Sequence, residues 1–260
     1  MACPAGPVEP GSDGGFRRSQ PLPSPPLCGN DDGAFHEPDG TGLLADFAQR
    51  RRMMVDTQVR PSDVTRFPII DAMLSVPREV YVPQALREAA YVGESLPLGP
   101  SRVVLEPRTF GKMLDALDID PADVILDIGC GLGYSTAVLA HMAEFVVGLE
   151  EDEALAAEAQ AILSDRGVDN AAVVCGALAE GAAKSGPYDV IMVQGAVETV
   201  PQAIADQLKD GGRIGALFAE GALGVARVGH KAAGRISWRD VFNAGAPVLP
   251  GFGREAAFSF

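Results

Sequence analysis

Residues 124–136 read Val-Ile-Leu-Asp-Ile-Gly-Cys-Gly-Leu-Gly-Tyr-Ser-Thr, an apolar run that stops at three alternate glycines and continues into a helical pattern. An apolar run of about four to eight residues bounded by glycine suits a strand buried on both faces. The same alternation continues along the chain. Tyr134 to Met142 is helical in pattern, Phe145 to Leu149 is a second apolar run, and Glu151 to Arg166 is helical again. Further runs lie at Ala171 to Cys175, Tyr188 to Val193 and Arg213 to Phe218, the last preceded by a predicted turn at Asp210-Gly211-Gly212. Strands alternating with helices predict an α/β fold, a doubly wound and mostly parallel sheet with helices on both faces. From Gly224 the chain reads as successive strands, VARVGH, RISWRDVF and EAAFSF, which predicts an antiparallel C-terminal edge.

Ahead of this unit, Pro107 to about Leu117 predicts a helix. Residues 43–106 are expected to form an N-terminal helical cap that doubles as a substrate region. In LLADFAQRRRMMVDTQV, Leu44, Phe47, Met54 and Val55 fall on one face of a helix. A second helix is expected over Asp63 to Leu74, with Ser62 as capping signal and Pro77 beyond its end. VPREVYVPQALREAAYVGESLPLGP, interrupted by prolines, reads as a lid and not as a strand. Residues 1–40 hold eight prolines and seven glycines, too little apolar surface to offset the entropy of ordering. The expectation for 1–42 is a disordered tail, or a gene-start artefact if translation begins near Leu43 to Met54. Residues 107–260 then form the ligand-binding domain.

In open α/β sheets ligands sit at the carboxyl ends of the strands, where strand order reverses, so the loop after Ile128 is the place to look. A dinucleotide fingerprint would put its third glycine where Tyr134 stands. Asp127, two residues before Gly129, would oppose a phosphate but attract a cation. S-adenosylmethionine carries an ammonium and a sulfonium and no phosphate. Glu150 closes the second run about 20 residues on, the place from which a carboxylate accepts hydrogen bonds from both ribose hydroxyls. It could equally be a solvated residue opening the acidic helix EEDEALAAEAQ, stabilised by the helix dipole. The candidate cofactor-binding residues are therefore Asp127, Gly129, Gly131, Gly133, Tyr134, Glu150 and Glu151.

The 260 residues are 47% hydrophobic and 22% charged, enough for one well-buried core. The formal charge of −14 disfavours nucleic acid or an anionic membrane as partner, since both attract basic patches. No apolar run approaches the roughly 18 residues that span a bilayer, and the first thirty residues lack the core of a secretory signal. Cys3, Cys28, Cys130 and Cys175 form no CxxC pair, so no metal site is expected. Cys130 and Cys175 read as small buried thiols in a reducing, cytoplasmic setting. His36, His141 and His230 are scattered, and nothing bears on oligomeric state.

Seven stretches between Gln49 and Phe218 resemble the protein-L-isoaspartate O-methyltransferases: RRMMVDTQV, DAMLSVPREVYVP, AAYVGESLPLG, VILDIGCGLGYSTAVLA, VVGLEED, YDVIMV and VPQAIADQLKDGGRI. The pair VPRE-Y-VP and AY…LPLG is particular to that family. The resemblance implies a Rossmann-like methyltransferase, S-adenosylmethionine as cofactor, and protein repair by methylation of the isoaspartyl carboxylate of damaged proteins. An ionised carboxylate attacking the methyl carbon needs no general base, so no catalytic histidine is expected. The resemblance also places Gly176 and Ala177 in a turn near the adenine, with Ala177 where the family has an acidic residue. Leu105 stands where members carry a serine beside the transferring methyl, in Ser101-Arg102-Val103-Val104-Leu105-Glu106-Pro107. Arg102 is a candidate contact for a substrate carboxylate, through the bidentate geometry of its guanidinium, or else a surface residue or a partner of Glu106. The alternatives are a cofactor-binding member that has lost the repair reaction and acts as regulator or adaptor, a methyltransferase with a small-molecule acceptor and, more distantly, a dehydrogenase.

Overall fold

A computed structural model describes residues 41–220 and 223–254, so the expectations for residues 1–40 and for EAAFSF lie outside the described residues. The apolar runs become the strands β3 (Val124–Ile128), β4 (Phe145–Glu150), β5 (Ala171–Cys175), β6 (Tyr188–Val197) and β7 (Leu208–Glu220). With β8 (Leu223–Ala232) and β9 (Arg235–Asn243) they form one seven-stranded sheet in the order β5-β4-β3-β6-β7-β8-β9. Pairings from β5 to β7 are parallel, and β8 and β9 add antiparallel to the β7 edge. This is the expected doubly wound, Rossmann-like sheet with an antiparallel C-terminal edge. Strand order reverses beside β3, which lies between β4 and β6, so the crevice of the sheet opens at the carboxyl end of β3.

Two apolar layers explain why β3 carries no alternation of polar and apolar residues. Leu126 and Ile128 pack with Leu149, Ile191 and Ile214 in one layer, and Ile125 packs in the other. Helices α3 (Pro107–Leu117), α4 (Tyr134–Ala140) and α5 (Glu153–Asp165) follow the expected pattern. Proline at the first turn opens α3, and the Asp152 carboxylate caps α5 by accepting from Ala154 N and Leu155 N. A short α6 (Gln202–Gln207) precedes β7.

The cap is helical, as expected, with α1 (Thr41–Met54) and α2 (Phe67–Ser75). Its Val55, Val59, Ile69, Met73 and Tyr81 join Phe110, Met113, Leu114 and Leu117 of α3 in a single core, and the described residues belong to one compact unit. Several boundaries differ from the sequence reading. Helix α1 already includes residues 41 and 42, assigned above to the tail. Helix α2 starts at Phe67, not Asp63, because Asp63 is left-handed (φ 65°) and the Ser62 hydroxyl donates back to Gln58 O instead of capping. LPLG is not a lid turn but strand β1 (Leu96–Gly99), paired antiparallel with β2 (Arg102–Val104). Asp210-Gly211-Gly212 is an irregularity within β7. Cys175 is exposed, not buried, since β5 is the edge strand.

Candidate functional site

The loop joining β3 to α4 passes through left-handed backbone three times, at Gly129 (φ 78°), Gly131 (φ 56°) and Gly133 (φ 91°). A side chain at any of them would be strained, and this fixes the alternate spacing of the glycines. Gly129 N and Cys130 N both donate to Leu149 O, at 2.8 and 3.2 Å, so the loop is stitched to the end of β4. Burial pushes the Cys130 thiol well up, which leaves it an inert, protonated filler beneath the loop.

Asp127 and Glu150 end adjacent strands and are both fully buried. One Asp127 oxygen accepts from Ser135 Oγ (2.6 Å) and Thr136 Oγ1 (2.7 Å), and the other accepts from Gln194 Nε2 (2.7 Å). Burial pushes its carboxyl up to about 6; the three hydrogen bonds pull it back and the neighbouring Glu150 adds to the rise. Glu150 Oε1 accepts from Glu151 N (2.8 Å), Asp152 N (3.2 Å) and Arg102 Nε (2.9 Å); its Oε2 accepts from Gly131 N (3.0 Å) and Arg102 Nε (3.2 Å). Gly176 N donates to Glu150 O at 2.9 Å, fixing that residue's backbone from β5's side.

The structure thus brings Asp127, Gly129, Gly131, Gly133, Glu150 and Gly176 to one place. It corrects other expectations. The two carboxylates do not rim an open pocket, because the chain's own donors already occupy them. Arg102 is not a surface residue, nor does it pair with Glu106: the β1–β2 hairpin carries its guanidinium to Glu150, and Nη2 lies 3.3 Å from Glu151 Oε2. Tyr134 turns its ring into the cap core, with Phe110 at 5.5 Å, Tyr81 at 6.1 Å and the Arg78 guanidinium 4.7 Å from its centroid. Ala177 is exposed and opens a short turn before Leu178.

Four residues that the sequence reading missed complete the site. Gln194 anchors Asp127 from β6, and a polar residue ending the apolar run YDVIMV was the available signal. Arg78 is fully buried; its Nε donates to Ala90 O (2.8 Å) and its Nη2 to Leu105 O (2.7 Å), so it positions Leu105. Leu98 of β1 lies where a Cβ on Gly131 would stand, and Leu249 covers Gly129 and Gly195. The cavity bounded by Val103, Leu105, Phe110, Tyr134 and Gln194 is about 10 Å³, room for one water.

For S-adenosylmethionine the chemistry of the donor set fits. The loop is bare backbone at three positions, the two strand-end groups are carboxylates, and Arg102 is paired with one of them. The space fits only when the cover of Leu98, Arg102 and Leu249 moves, since small-molecule sites occupy about 300 Å³ or more.

Comparison with known proteins agrees with the geometry. The family model described as Protein-L-isoaspartate(D-aspartate) O-methyltransferase matches residues 49–240. A protein-L-isoaspartate O-methyltransferase of Koribacter versatilis is 36% identical over 199 residues, 76% of this chain and 88% of that protein. The one from Syntrophus aciditrophicus is 37% identical over 172 residues, 66% of this chain and 79% of its own. A solved structure of a putative protein-L-isoaspartate O-methyltransferase from Plasmodium falciparum, in complex with S-adenosyl-L-homocysteine, shares the fold with a TM-score of 0.65 at 19% identity, over 78% of this chain and 97% of that one. With most of the cap, the glycine loop and β3 to β7 inside the matched span, this chain belongs to the protein-L-isoaspartate(D-aspartate) O-methyltransferase family.

Proposed function

We propose that the chain transfers a methyl group from S-adenosylmethionine to the side-chain carboxylate of isoaspartyl residues in damaged proteins, in the cytoplasm and without a nucleic-acid or membrane partner. The observation that carries this reading is the buried pair Asp127 and Glu150 set at the switch point of the sheet around a side-chain-free loop. When bound, the cofactor supplies an electrophilic methyl group on a sulfonium. Gly129, Gly131 and Gly133 would offer their backbone to it, and Glu150 would accept from its ribose hydroxyls. Gly176 and Glu151 would lie at the nucleoside end. Asp127 supplies negative charge under the loop, and its three donors hold that charge in place.

Leu105, Val103 and Phe110 form an apolar wall that strips water from an incoming carboxylate, raising its nucleophilicity relative to the solvated ion. Arg78 fixes the backbone of that wall through Leu105 O. No general base is required, because the acceptor is already ionised at neutral pH. The rate then rests on orientation and desolvation. The test is methyl ester formation by purified protein on an isoaspartyl peptide, with the aspartyl isomer as control. Ester on the isoaspartyl peptide alone is expected. Cofactor binding with no ester on either peptide would reject the reaction while keeping the cofactor.

A further inference from the structure

Arg102 bonds Glu150 and also lines an open cleft. On its inner side is Glu150, whose two oxygens receive five contacts; an ionised carboxylate offers about four lone-pair positions, so none is left for a ribose hydroxyl. On its outer side is an open cleft of about 580 Å³, walled by Leu98, Arg102, Glu151, Asp152 and Glu158 among others, large enough for a nucleoside-sized ligand. The guanidinium is almost fully buried, and it is the side chain that stands between Glu150 and this cleft.

We propose that Arg102 is a latch that sets cofactor affinity: it masks Glu150 in the closed protein and swings outward to Glu151 when the cofactor takes its place. The inference rests on the reading of Glu150 as the ribose acceptor. Three observations favour a moving latch over a fixed strut. The receiving carboxylate is already paired, with Glu151 Oε2 3.3 Å from Nη2 and about half exposed, so the outward swing gives up the ion pair with Glu150 and keeps the one with Glu151. Asp152 and Glu158 keep the outer cleft anionic, so the released guanidinium does not enter an uncompensated site. Arg102 also sits on the two-stranded hairpin β1–β2, which is not part of the seven-stranded sheet. Leu96 and Val104 anchor the base of this hairpin in the main core, while Leu98 and Arg102 lie toward its turn, so the turn end can shift without disturbing the sheet. Leu98, on the same hairpin, leaves Gly131 in the same movement and uncovers the glycine loop.

Masking lowers apparent affinity by the fraction of molecules that are open. Arg102→Gln removes the charge, so S-adenosylhomocysteine, titrated calorimetrically, is expected to bind about tenfold or more tightly and to associate faster in stopped flow. Arg102→Lys keeps the charge but loses the planar fork, and a smaller gain of the same sign is expected; it carries the test if Arg102→Gln does not fold. Equal or weaker binding by the substituted proteins overturns the latch, because Arg102 would then support the ligand and not exclude it. Amide hydrogen exchange of residues 96–104 in the ligand-free proteins is the second readout, with faster exchange expected in Arg102→Gln. If neither the wild type nor the substituted proteins bind S-adenosylhomocysteine, the cofactor reading falls and the latch falls with it, whereas equal or weaker binding by the substituted proteins beside a binding wild type overturns the latch alone.

Discussion

Asp127 makes the folded protein's stability depend on pH with a sign opposite to that of most carboxylates. Its ordinary value of 3.8 is pushed up to about 6 by burial, so between these values the folded protein holds a proton that the unfolded chain has released. The stability contributed by the neutral carboxyl is fully present below about 3.8 and is lost as pH rises through about 6. At about 1.4 kcal/mol per pH unit, the interval amounts to about 3 kcal/mol. Asp189, which burial would raise but which hydrogen bonds from Lys209 and Val124 N hold below its ordinary value, contributes the opposite slope, so the wild-type curve alone would blur the effect. Asp127→Asn isolates it: the amide keeps the shape, exchanges hydrogen bonds with the Ser135 and Thr136 hydroxyls, and does not titrate. Urea unfolding of both proteins at intervals from pH 4 to 7.5 is the assay. Wild type minus variant should fall by about 3 kcal/mol across the range, most steeply between pH 4 and 6. Two parallel curves would refute the reasoning, and would mean that the hydroxyls and Gln194 hold Asp127 ionised in spite of its burial.

Arg78→Met should lower unfolding free energy by about 2–6 kcal/mol, because Ala90 O and Leu105 O each lose their buried donor at about 1–3 kcal/mol apiece; a urea midpoint measures it. Gly131→Ala places a Cβ on Leu98 and a methyl side chain in left-handed backbone, costing about 1–2 kcal/mol from conformation alone, and should abolish S-adenosylhomocysteine binding by calorimetry. Leu105→Ser supplies a hydroxyl facing the small cavity. A hydrogen bond to a charged acceptor is worth about 1.5–3 kcal/mol, so kcat/KM for an isoaspartyl peptide should rise about tenfold to a hundredfold, at some cost in thermal stability.

The sheet was readable because its parallel strands are buried on both faces, which makes VILDI, FVVGL and YDVIMV continuous apolar runs that admit no competing period. The three positive-φ glycines were readable for a similar reason: backbone that only glycine tolerates leaves its spacing in the sequence. The β1–β2 hairpin was not. Its strands are four and three residues long, LPLG contains a proline and a glycine, and such a stretch carries no alternation to detect. The start of α2 was misplaced because Ser62 looks like a cap in sequence but spends its hydroxyl on the preceding helical turn.

The site residues divide along the same line. A carboxylate at a strand end announces a charge, and the sequence shows that much for Asp127 and Glu150. What the charge is bonded to depends on which side chains arrive from elsewhere: Gln194 reaches Asp127 across 67 residues, and Arg102 reaches Glu150 across 48. Neither pairing has a local signature, because the hairpin and β6 are brought there by the core and not by their neighbours in sequence. Arg102 was read for its ability to bind a carboxylate, and in the structure it does bind one. The ability is local to the side chain, but the choice of partner belongs to the fold. A cation placed against a carboxylate proposed to accept from the ribose therefore has to be weighed as a competitor for the ligand, and here Arg102 stands in that position against Glu150.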